Sequence, residues 1–132
     1  MQNARQSMPG NPKKLFADVS ANRTDSSRGE LDAGRAIQRH CGGKTRDDYL
    51  KDELLRGFVE RKLLIIGEAL ARLRETQPEL AARIKDIDRI IGQRNRIVHG
   101  YDAVDDLLIW DAIANHLPAL LAQIERFARE QE

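Results

Sequence analysis

The sequence predicts an all-α fold, an antiparallel bundle of four to five helices. Three observations carry this prediction. Charged residues make up 33% of the 132 residues and aromatics only 5%, with few β-branched runs from which strands could be built. Apolar residues recur at spacings of three and four over long stretches, the period of a helix with one buried face. Thr45, Pro78, Asp105 and the glycines at 42, 43 and 100 stand where those stretches would start or stop.

Residues 1–29 hold Pro9, Gly10 and Pro12, then a polar run from Asn22, and offer only Leu15, Phe16 and Val19 for burial. They read as a tail, ordered only if it docks, ahead of a helical domain over 30–132. Leu31 to His40 is a short helix with Leu31, Ala33, Ala36 and Ile37 apolar, ended by Gly42 and Gly43. His40 beside Cys41 has no second ligand pair at metal spacing, so it reads as structural.

Thr45-x-x-Asp48 resembles a capping box and opens the longest predicted helix, Arg46 to Glu75. Leu55, Val59, Leu63, Ile66, Leu70 and Leu73 form its core stripe, widened by Leu54, Phe58, Ile65 and Ala69, which makes it the spine of the bundle. Gly57 and Gly67 each cost about 1 kcal/mol against alanine in a helix interior, so close helix packing is expected at both. Glu68 either pairs with a basic group or orients Arg94.

Thr76-Gln77-Pro78 makes a turn with Pro78 at the first position of the next helical segment, which is read as helix from Ile84 to Val98. Asp105 and Asp106 place negative charge at the N-terminus of the last helix, where the macrodipole favours it. Trp110, Ile113, Ala114, Leu117, Leu120, Leu121, Ile124 and Phe127 keep phase through Pro118, so one kinked helix is expected rather than two. His116, beside the kink, reads as structural.

The bulk numbers narrow the function. The length suits one domain, and a net charge of +1 gives no global field that would gather nucleic acid. Locally the balance shifts: residues 72–96 carry seven basic groups against four acidic, whereas 102–132 carry two against seven. A basic patch there suits a phosphate-rich ligand, although solvated helix faces would look the same. Cys41 is the only cysteine, which excludes an intrachain disulfide and fits a cytoplasmic protein. Neither an apolar signal region nor a membrane-length apolar run is evident, so no membrane partner is expected. No repeat, glycine-rich phosphate loop, Ser–His–Asp order or metal-ligand cluster stands out, and no cofactor is implied.

The stretch that carries chemistry runs from Gln93 to Tyr101. At about 100° per residue, Ile84, Ile87, Ile90, Ile91, Ile97 and Val98 fall within one arc of roughly 140°, with Arg94 near its middle. A charge in an apolar stripe is costly unless it is paired or faces a site. Asn95 lies at the edge of the stripe, one turn before His99 and on its side. His99 and Tyr101 would point nearly opposite ways on a continuing helix, so Arg94, His99 and Tyr101 converge only if the helix stops near Gly100.

Arg94-x-x-x-x-His99-x-Tyr101, with a polar residue after the arginine, resembles the signature of the HEPN superfamily. More narrowly it resembles the HepT-like toxins, partners of minimal nucleotidyltransferase (MNT) antitoxins. The run Glu60 to Ala69, with its Ile-Gly-Glu-Ala block, and Leu117-Pro118 after Trp110 agree, so the resemblance covers roughly residues 30–127. The tail departs from the family, whose first helix begins further upstream with a better apolar face.

The resemblance implies a HEPN-type bundle, a homodimer, and a metal-independent endoribonuclease toxin of a type II/VII-like toxin–antitoxin pair. It implies RNA as substrate, Arg94 and His99 as catalytic residues, and Asn95, Tyr101 and Glu68 in support. It also implies AMP transfer onto Tyr101 by the antitoxin. The chemistry is coherent with the residues: histidine titrates near neutrality and serves in either proton role, and arginine's planar fork suits two phosphate oxygens. One chain offers a single motif histidine, so a two-fold pair would supply the missing acid or base. Two other readings stay open: a non-catalytic nucleotide- or substrate-binding subunit of a nucleotidyltransferase, and a helical interaction module with a vestigial motif.

Overall fold

Residues 29–99 and 105–130 are described by the computed structural model, and the all-α expectation holds: among them there is no strand. Helix α1 covers 29–41, so the residue expected to end the tail is already helical; the tail up to residue 28 lies outside the described residues. Then follow α2 (Arg46–Lys51), α3 (Glu53–Thr76), α4 (Pro78–Ala82) and α5 (Ile87–His99). The last helical run is α6 (Asp106–Asp111), a π-turn at Ala112–His116, and α7 (Leu117–Glu130).

Helix α3 is the spine, as its periodicity requires. Leu55, Val59, Leu63, Ile66 and Leu70 are buried along one stripe and meet Ile90 of α5 and Ile109, Leu117 and Leu120 of the last run in one core. Each such side chain contributes roughly 1.5–3 kcal/mol through burial. α5 runs antiparallel to α3, since Arg74 pairs with Asp88 and Glu68 with Arg94. On the other side α1 packs on the last helix, where Gly34 leaves room for the Leu121 side chain and Arg35 pairs with Glu125.

The local signals act as expected in several places. Thr45 and Asp48 complete the capping box, Pro78 sits in the first turn of α4, and the Asp105 carboxylate accepts from the Leu107 and Leu108 N–H groups. The last run is one continuous helix, widened by the π-turn just before Pro118. Proline has no N–H to give and crowds the carbonyl four residues back; the Leu117 N–H bonds instead to Ala112, five residues back. This run is long and apolar enough to cross a membrane by length and composition, but its apolar stripe is packed into the core.

Three expectations need correction. The helix expected over Arg46–Glu75 breaks at Asp52, which is extended (φ −107°, ψ 94°) and caps α3 by accepting the Leu55 N–H at 3.0 Å. Arg56 reaches back to the carbonyls of Tyr49 and Leu50, so both sides of the break are satisfied. The helix expected over Ile84–Val98 starts only at Ile87, after a turn in which Asp86 takes a left-handed φ of 67°. Ile84 is buried, but from the turn. Finally, a side chain at Gly57 would meet open space, whereas one at Gly67 would collide with Arg94, so close packing explains only the second glycine.

The turn ahead of α5 is fastened to the last helix from several directions. His116, structural as expected, spans Asp86 at 3.2 Å and Asp111 at 3.4 Å. Gln123 accepts from the Lys85 N–H and donates to the Arg83 carbonyl. Arg83 lies over the Phe127 ring. These contacts fix where α5 begins, and hence where its C-terminal end is presented.

Candidate functional site

The site is built where α5 crosses the middle of α3. Gly67 lets the two backbones approach so closely that a Cβ there would stand 2.8 Å from Arg94 Cγ and nearer still to its Cβ. The stem of Arg94 therefore lies on the bare backbone of α3. Its head emerges beside the next residue of the Ile-Gly-Glu-Ala block, and its side chain is 25% exposed.

Two partners hold that head. Arg94 Nε donates to Glu68 Oε1 at 3.3 Å, and Nη1 donates to Asn95 Oδ1 at 2.6 Å. The sequence left Glu68 two roles; here the carboxylate pairs with and orients Arg94. Asn95 orients the same guanidinium from the following position, which accounts for a polar residue directly after the arginine. A guanidinium has five N–H donors. Two are used in these bonds, so the fork keeps donors for an incoming anion while its attitude is set from two sides.

His99 closes α5 and is exposed. It stands five residues beyond Arg94, about 7.5 Å further along the axis, and one turn beyond Asn95. Thus the structure brings Arg94, Asn95 and Glu68 into contact and places His99 on the same helix end. Gly100 and Tyr101 lie outside the described residues, so the convergence expected of Tyr101 is not described. Among the described residues no cluster of His, Cys, Asp and Glu could hold a metal ion.

Sequence reasoning passed over one feature here. Arg61 and Arg72 share the outer face of α3 with Glu68 and line a groove that leads to it. The signal was available: positions 61, 68 and 72 differ by seven and four, which places them on one side of a helix.

Fold and site together define an all-α protein that presents an oriented guanidinium and a helix-end imidazole from one helix. A family profile described as "Ribonuclease HepT-like" matches residues 31–127. The chain belongs to that family. A protein of Caldanaerobacter subterraneus subsp. tengcongensis, named as a proposed RNase, is 29% identical over 90 residues, covering 68% of this chain and 80% of its own. Two Methanocaldococcus jannaschii proteins with the same style of name are 30% and 23% identical over 90 residues, covering 67% and 65% of this chain and 72% and 73% of theirs. No solved structure matches the chain.

Proposed function

We propose that the chain is a metal-independent endoribonuclease, the toxin of a toxin–antitoxin pair, acting as a homodimer. The observation that carries this reading is the Arg94 guanidinium held by Glu68 and Asn95 on the helix that ends in His99. Membership of a ribonuclease family and relatives named as RNases support it.

In this reading one His99 takes the proton of a ribose 2′-hydroxyl, whose oxygen then attacks the adjacent phosphorus. The P–O5′ bond breaks, and the second His99 of the dimer gives a proton to the departing 5′-oxygen. Arg94 binds the non-bridging oxygens, where charge accumulates, with a fork already set by Glu68 and Asn95. The products are a 2′,3′-cyclic phosphate and a 5′-hydroxyl. A second copy would also cover Val98, which continues the arc of buried Ile87 and Ile91 yet is 48% exposed. An MNT-type partner would silence the enzyme by transferring AMP from ATP onto the Tyr101 phenol, with release of pyrophosphate. The added phosphate would engage Arg94, and the nucleoside would fill the cleft.

Purified chain should cut RNA in excess EDTA and leave 2′,3′-cyclic ends. Arg94→Ala and His99→Ala should each abolish cleavage with helical circular dichroism unchanged. Mixing the two inactive variants should restore part of the activity if each site draws on both copies. Wild-type chain that binds RNA without cutting it would favour a non-catalytic binding subunit instead.

A further inference from the structure

The groove between the start of α1 and the outer face of α3 has a volume of about 400 Å³ and is lined by Glu30, Arg61, Ile65, Glu68, Ala69 and Arg72, among others. It opens onto the site, because Glu68 is both its wall and the partner of Arg94. Arg61 and Arg72 are exposed, and among the described residues neither makes an ion pair with a carboxylate. The other acid in the groove does not offset them. Glu30 is 4% exposed, and burial pushes its carboxyl up to about 8 against the pull of Arg72, which favours its neutral form. Two arginines without a carboxylate ion pair therefore face a groove whose wall, Glu68, holds a third.

Their spacing is informative. Arg94 meets α3 at Gly67. At 1.5 Å per residue, Arg61 stands about 9 Å to one side of that level and Arg72 about 7.5 Å to the other. We propose that this groove is a track for the backbone of single-stranded RNA, in which Arg61 and Arg72 hold phosphates on either side of the one that Arg94 engages. The inference rests on the nuclease reading and adds to it how substrate is held. It involves the sugar–phosphate chain alone and so sets no base preference.

The test uses the full chain carrying His99→Ala, so that binding is measured without cleavage, and a short labelled oligouridylate titrated at several salt concentrations. Arg61→Ala and Arg72→Ala should each weaken binding by about three- to tenfold and lower the salt slope by about 0.7, the value for one phosphate contact on a single strand. Lysine at both positions should restore the slope. Arg126→Ala, which removes an exposed charge from α7, should change neither quantity. In the cleaving chain the arginine losses should appear in KM.

Unchanged affinity and slope in the Arg61→Ala/Arg72→Ala chain would overturn the track. An equal loss with Arg126→Ala would also overturn it, since the effect would then be diffuse charge. Loss of the nucleotidyltransferase partner with RNA binding intact would make the groove a protein interface and end the proposal. Failure of the nuclease reading is distinguishable: a wild-type chain that binds RNA through these arginines without cutting it would keep the track and lose the enzyme.

Discussion

Gly57 and Gly67 lie in one helix, and the same substitution in each should have opposite effects. Alanine in a helix interior is favoured over glycine by about 1 kcal/mol. At Gly57 the new methyl enters open space, so Gly57→Ala should gain most of that amount. At Gly67 it would sit 2.8 Å from Arg94 Cγ and closer to its Cβ, atoms next to a backbone and unable to swing aside. Forcing α5 outward is an overpacking cost of roughly 1–3 kcal/mol. The helix-propensity gain is common to both variants, so the difference between them isolates this steric cost. For a domain of this size it corresponds to melting temperatures roughly 4–11 °C apart. Thermal unfolding by circular dichroism, with urea titration as a second measure, reads it directly. RNA cleavage should fall in Gly67→Ala, where Arg94 is displaced, and stay near wild type in Gly57→Ala. Equal melting temperatures, or Gly67→Ala the more stable, would refute the claim that Gly67 is the seat of Arg94.

Three further outcomes are expected. Glu30 has a folded value near 8 against an ordinary carboxyl value of 4.5, so the folded state binds more protons between those limits and stability falls as pH rises through them. Glu30→Gln should flatten that fall, by up to a few kcal/mol between pH 5 and pH 8, in urea titrations at each pH; an unaltered pH profile would show that the carboxyl is not held protonated. Asp52→Ala removes the cap of α3 and should cost about 1 kcal/mol in the same assay, while the Asp52→Asn chain stays near wild type. Co-expression with an MNT-type transferase and ATP should add the mass of AMP to the peptide containing Tyr101, and Tyr101→Phe should escape both the mass and the silencing. Full neutralisation of the Phe variant would place the inhibition elsewhere.

The fold was legible because its signals are local and redundant. The stripes of α3 and α7, the Thr45 capping box, Pro78 and Asp105 each specify a helix or its start without reference to the rest of the chain. The breaks were less visible for a physical reason. Asp52 is one aspartate in a run of charged residues and breaks the helix without a Gly or Pro, and Asp86 takes a left-handed turn that aspartate tolerates but does not announce. Gly57 and Gly67 are indistinguishable in sequence, since only the approach of α5 makes one of them necessary. At the site, Arg94 could be singled out by its place in an apolar arc. Its pairing with Glu68 needed the register between two helices, which no single segment contains. The same limit hid the groove: Arg61 and Arg72 share a face on paper, but the buried Glu30 opposite them belongs to another helix.

The antiparallel match of α3 with α5 constrains how chain length can vary. Arg74 with Asp88 and Glu68 with Arg94 are two marks on a vernier, since both pairs of numbers sum to 162. Inserting one residue between Glu68 and Arg74 would turn the two halves of α3 by about 100° relative to each other. One mark could then be aligned only by losing the other, and the seat at Gly67 would leave Arg94. A residue added between Gln77 and Asp86 would leave both marks available but would disturb the turn that Gln123 and His116 fasten to the last helix. The spans from Gly67 to Thr76 and from Ile87 to His99 therefore have a fixed count.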